Sequence, residues 1–202
     1  MGGIHEEHVE WAVVNRLKAM IDQPPETPFN VTLGFSLFST VLMWTKNRMW
    51  LRVEDARTDA DKYALTAREK LGEALIVDAP WELSRAFPAG QGNGAVNNDF
   101  SQMPAWEFFK WLRDALAHGD GRTIRPLHWR SVETNKEWLG GFHVEFPRTK
   151  GSKEILTLHL FKRDLQTLGS QLANLFCQDL ARGVDYQFRD AATLRMLEEV
   201  SQ

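Results

Sequence analysis

The residues whose types and spacing suggest chemistry lie in one stretch, Trp111-Leu112-Arg113-Asp114-Ala115-Leu116-Ala117-His118-Gly119-Asp120-Gly121-Arg122. On an ideal helix, residues four apart differ by about 40° in direction and residues five apart by about 140°. Asp114 and His118 therefore share one polar edge, opposite Leu112 and Leu116. Arg113 starts on a neighbouring edge, and its long stem can bring the guanidinium toward the same place. His118 falls in the last turn before Gly119, where the negative end of the helix dipole attracts a cation. A guanidinium fork binds phosphate oxygens. An imidazole is the side chain that titrates nearest neutrality and so moves protons. Together they suit phosphate binding and proton transfer.

The surroundings share this character. Residues 110–130 hold Lys110, Arg113, Arg122, Arg125 and Arg130 against Asp114 and Asp120, which is net +3 in a chain of net −3. Lys110, Arg122, Arg125 and His128 are the expected contacts to a nucleic-acid backbone, with His128 secondary. Trp106, Trp111 and Trp129 interleave, and an exposed ring there would stack on a base.

Other candidates are weaker. His5-Glu6-Glu7-His8 has metal-like spacing but no third ligand nearby, so a solvated helix start is the better reading. Gly90-Gln91-Gly92-Asn93-Gly94 lacks the Lys-Ser or Lys-Thr of a phosphate-cradling loop and reads as a linker. Cys177 sits near Leu175 and Phe176 with no cationic setting, and reads as packing. His143 and His159 fall in a strand pair without gathering into a site.

The elements that must position the motif are mostly helical. Apolar residues at helical spacing mark helices over about 4–22, 35–53, 61–78, 104–118 and 162–182. Alternation over about 138–161, interrupted by Pro147 and Gly151, marks a β-hairpin. A short helix is expected near 191–200. Residues 80–103 carry Pro80, Pro88 and several Gly and Asn, a loop long enough to suggest function. The expectation is a single mainly α domain over 1–202, with a hairpin inserted before the last long helix.

Composition sets the outer limits. The chain has 202 residues, 43% hydrophobic and 25% charged, with a pI near 6.1. That is globular composition, and the acid balance argues against a protein that coats nucleic acid by bulk charge. The lone Cys177 excludes an internal disulfide and a Cys-rich zinc site. No apolar run reaches the ~18 residues of a membrane span. The first residues lack the pattern of a secretory signal, and Glu6 stands where a myristoylation motif wants Ser or Thr. A cytoplasmic location without membrane contact is the expectation.

The run Arg113-Asp114-Ala115-Leu116-Ala117-His118, an Arg-polar-x-x-x-His pattern at the end of a bundle helix, resembles the signature of the HEPN superfamily (higher eukaryotes and prokaryotes nucleotide-binding domains). The second position of that pattern is often Asn, and Asp also occurs. The resemblance covers residues 35–120 and 162–182 and implies an up-and-down helical bundle. It further implies a metal-independent endoribonuclease, of the kind found among toxins and phage-defence effectors. Such proteins act as homodimers whose two motifs face a shared cleft, and an antitoxin or regulatory protein would restrain them. In this chain Arg113 would stabilise the pentavalent phosphate, His118 would move protons between the ribose 2′-OH and the leaving 5′-oxygen, and Asp114 would orient His118 or the substrate. No metal or cofactor is implied. A catalytically inactive HEPN-like module for nucleotide binding or protein–protein interaction is the alternative, and an unrelated helical interaction protein a third.

Overall fold

The computed structural model describes residues 9–49, 59–88, 91–92, 94–130 and 134–180. Among them run five α-helices: α1 (Val9–Asp22), α2 (Asn30–Met49), α3 (Asp59–Glu73), α4 (Ala105–His118) and α5 (Lys162–Leu175). Three strands, β1 (Ile124–Arg130), β2 (Glu137–Pro147) and β3 (Ile155–Phe161), lie between α4 and α5. A π-helical turn, Phe176–Leu180, follows α5. The His5–His8 cluster and the helix expected near 191–200 lie outside the described residues, as do Gly90 and Asn93.

The helices pack through stripes visible in their sequences. Phe38, Val41, Leu42 and Met49 of α2 are buried, as are Leu165, Leu168 and Leu172 of α5. Each large apolar side chain so buried contributes about 1.5–3 kcal/mol. Gly169 lets α5 approach α1, since a Cβ there would lie 3.0 Å from Ile21 Cδ1. On α1, however, Val9 and Met20 are exposed, while Trp11, Ala12, Val14 and Ile21 face inward. α4 buries Ala105, Phe108, Phe109, Leu112 and Ala115. Its start is fastened to the end of α3, because Ala105 N–H donates to the Ala74 carbonyl at 2.7 Å. Its cap position is Pro104, with no side-chain cap hydrogen bond.

The fold is an α+β arrangement, which corrects the expected mainly α bundle with an inserted hairpin. β1, β2 and β3 form one antiparallel sheet in that order. The overlooked strand is β1, Ile124-Arg125-Pro126-Leu127-His128-Trp129-Arg130. Its Pro126 and its basic residues mask the strand pattern. Proline is tolerated there because β1 is an edge strand, where one side of the backbone needs no ladder bond. A β-bulge between Leu127 and His128 shifts its register on β2. Gly140 accommodates Trp129, whose ring atoms would stand 2.5 Å from a Cβ at that position.

One sheet face closes the core. Phe142 pairs with Leu160, Val144 with Leu158 and Phe146 with Leu156, and the Phe142 ring stacks on Phe35 of α2 at 4.1 Å. The segment expected as a long loop, 80–103, guards the free edge of β3. Asn97 accepts from His159 N–H at 2.7 Å and donates to the His159 carbonyl at 3.0 Å. Asp99 accepts from Thr157 N–H, and Asp164 from Phe161 N–H. An unpaired strand edge is an invitation to aggregate, and here side chains occupy it. No helix among the described residues is long and apolar enough to cross a membrane.

Candidate functional site

Beside the buried Phe108, Leu112 and Ala115 runs a second stripe of α4, buried at Trp111, part-buried at Glu107 and Asp114 and exposed at His118. Glu107, Trp111, Asp114 and His118 follow at steps of four, three and four, which stacks them along one line of the helix. Beside this stripe lies a cleft of about 590 Å³. One wall is Trp111, Arg113, Asp114 and His118 of α4. The other is the end of β2 and the turn after it, Phe146 to Gly151, including Arg148 and Lys150. The structure thus brings Arg113, Asp114 and His118 to one accessible hollow. His118 is exposed at its mouth.

Within the cleft, Arg113 Nη1 donates to Asp114 Oδ1 at 2.8 Å. The two side chains are 29% and 34% exposed, so solvent reaches the pair from the cleft side. Asp114 therefore steers the arginine, and no hydrogen bond joins it to His118 among the described residues. The glycine after His118 has a different role from a left-handed cap. Gly119 is extended, and a Cβ there would lie 2.5 Å from the Ala115 carbonyl oxygen and 2.7 Å from Ile124 Cδ1. Only glycine lets the chain leave α4 this tightly and enter β1.

The other expected RNA contacts lie away from this hollow. Lys110 is exposed on α4 and does not line the cleft. Arg122 is engaged by Asp120 at 2.6 Å, and its hydrogen bonds hold the Asp120 carboxyl down to about 2. Arg125 reaches across to β2, 2.9 Å from Glu145 and 2.8 Å from His143 Nε2. His128 Nδ1 stands 3.4 Å from Glu137. Charge density along the sequence did not distinguish arginines that pair within the sheet from those that face the cleft.

His143 and His159, read as separate, are cross-strand partners with His159 Nε2 and His143 Nδ1 2.9 Å apart. Burial, and then the neighbouring His143, push the His159 imidazole below its ordinary value. Cys177 is half-buried, and desolvation raises its thiol to about 12, so it is no nucleophile. Among the described residues, no group of three or more His, Cys, Asp or Glu is placed to hold a metal ion.

Two features were missed in the sequence. One is the second wall, with Arg148 and Lys150. The other is Lys46 of α2, fully buried behind the site with its Nζ 3.4 Å from the centre of the Trp106 ring. Desolvation lowers its ammonium from 10.5 to about 7; Asp114 opposes this, while Lys110, Arg113 and Arg68 add to it. The folded value lies below the unfolded one. Between about pH 7 and 10.5 the unfolded chain thus binds more protons, and folding stability rises with pH across that window. Lys46→Met should melt higher than the parent at pH 6, and the gap should shrink as pH approaches 10. A gap independent of pH in thermal melts would contradict this placement.

Compared with family models, curated proteins and solved structures, the chain matches none.

Proposed function

We propose that this protein is a metal-independent endoribonuclease acting through Arg113 and His118. The observation that carries the reading is that Arg113, Asp114 and His118 line one accessible cleft at the end of one helix. The Arg-x4-His resemblance to HEPN ribonucleases supports it through the side chains alone, since the fold includes a sheet that the resemblance did not imply.

In this reading the ribose 2′-oxygen attacks the adjacent phosphorus, and the bond from phosphorus to the 5′-oxygen breaks. Neutral His118 accepts the 2′-hydroxyl proton. An imidazolium returns a proton to the departing 5′-oxygen, leaving a 2′,3′-cyclic phosphate and a 5′-hydroxyl. A homodimer would supply a second His118 so that base and acid act at once. Arg113 carries the charge that builds on the phosphoryl oxygens, and Asp114 holds its guanidinium in line. Fixed cations of this kind stabilise such a transition state without reorganising.

The test is incubation of purified protein with single-stranded RNA in excess divalent chelator, with cleavage expected at undiminished rate. Loss of cleavage on chelation contradicts the reading. The alternative is a catalytically inactive module that binds a nucleotide in the same cleft. Retained nucleotide binding with no cleavage of any RNA would select that module instead.

A further inference from the structure

The second wall of the cleft is unexplained by the Arg113–His118 chemistry. Arg148 projects from the turn after β2 and is fixed by two carboxylates through different nitrogens. Its Nη2 donates to Glu107 at 2.9 Å and its Nη1 to Glu154 at 3.3 Å. A guanidinium has five N–H donors, so most remain for a ligand, and the side chain is already oriented. Lys150, two residues on, is exposed and makes no ion pair among the described residues.

Glu107 marks where Arg148 sits along α4. From Glu107 to His118 is eleven residues, a rise of about 16 Å. A single phosphate cannot bridge that length. Between these ends lies Trp111, 4% exposed, a cleft-lining residue whose indole Nε1–H is buried without a hydrogen-bond partner.

We infer that Arg148 and Lys150 form a second phosphate subsite, so that the cleft takes a strand segment bearing at least two phosphates rather than a mononucleotide. One phosphate lies at Arg113 and His118, and another, further along the same strand, lies against the turn after β2. Glu107 and Glu154 are positioning residues that hold the Arg148 fork toward it. This inference rests on the cleft being an RNA site, and deepens that reading by naming the length of substrate recognised.

The experiment compares two ligands that cannot be cleaved: a nucleoside 3′-monophosphate, and a fully 2′-O-methylated tetranucleotide ending in a 3′-phosphate, long enough to reach both ends of the cleft. Affinities for the wild-type chain, Arg148→Ala and Lys150→Ala are measured by calorimetry across a salt series. Each substitution should weaken the tetranucleotide by about tenfold, lower its salt slope by about one, and leave the one-phosphate ligand unchanged. Lys150→Ala breaks no ion pair, so its effect cannot come from a disturbed turn. If RNA is cleaved but both variants bind both ligands like the parent, the second subsite is wrong while the nuclease reading stands. If the parent binds neither ligand, the nuclease reading fails and the subsite with it.

Discussion

His118→Ala should lower RNA cleavage by roughly 10²–10⁴-fold in kcat, the usual contribution of a positioned acid–base group, with little change in KM. The imidazole stands exposed at the mouth of the cleft and fills no core space. Its removal therefore costs chemistry and not folding, and surface substitutions of this kind usually stay within about 0.5 kcal/mol of parental stability. Circular dichroism and the melting temperature should be indistinguishable from the parent. A variant that keeps parental turnover, or that loses its helical signal along with turnover, contradicts the role assigned to His118.

Arg113→Ala should cost about 10²–10³-fold in kcat, the range for losing one fixed donor to developing negative charge. Arg113→Lys should recover only part, because an ammonium restores charge but not the planar fork that meets Asp114 at 2.8 Å. Combined with His118→Ala, the loss should fall short of the product of the single losses, since both groups serve one transition state. Kinetics on a short fluorescent RNA measure the four variants, Arg113→Ala, Arg113→Lys, His118→Ala and the double, against the parent. Full additivity, or a Lys variant as active as the parent, would mean that the two residues do not act on the same phosphate.

The part of the site legible in the sequence is the part contained in one helix. α4 carries its own address: apolar Phe108, Leu112 and Ala115 fix which side is buried, and the spacing of Asp114 and His118 then fixes the exposed line. The opposite wall was not legible. Arg148 lies thirty residues beyond His118, and only the pairing of β2 with β1 and β3 returns it to α4. The β2–β3 hairpin was legible, but the pairing with β1 was hidden by Pro126, which argues against a central strand and says little about an edge. Lys46 had a signal that went unread. It lies four residues after Leu42 and three before Met49, inside the buried stripe of α2, where a charged side chain must find a special setting. The arginines at 122 and 125 show the converse. Their positions in a basic segment suggested RNA, but a local pair with Asp120 engages Arg122 and a cross-strand pair with Glu145 engages Arg125.

The end groups left on RNA after digestion in a divalent chelator test the nuclease chemistry most directly. The account predicts fragments ending in a 2′,3′-cyclic phosphate with a 5′-hydroxyl on the neighbour, formed by the parent and not by His118→Ala. Fragments ending in a 3′-hydroxyl with a 5′-phosphate, or a digestion that halts when metal is removed, would contradict attack by the ribose hydroxyl in this cleft.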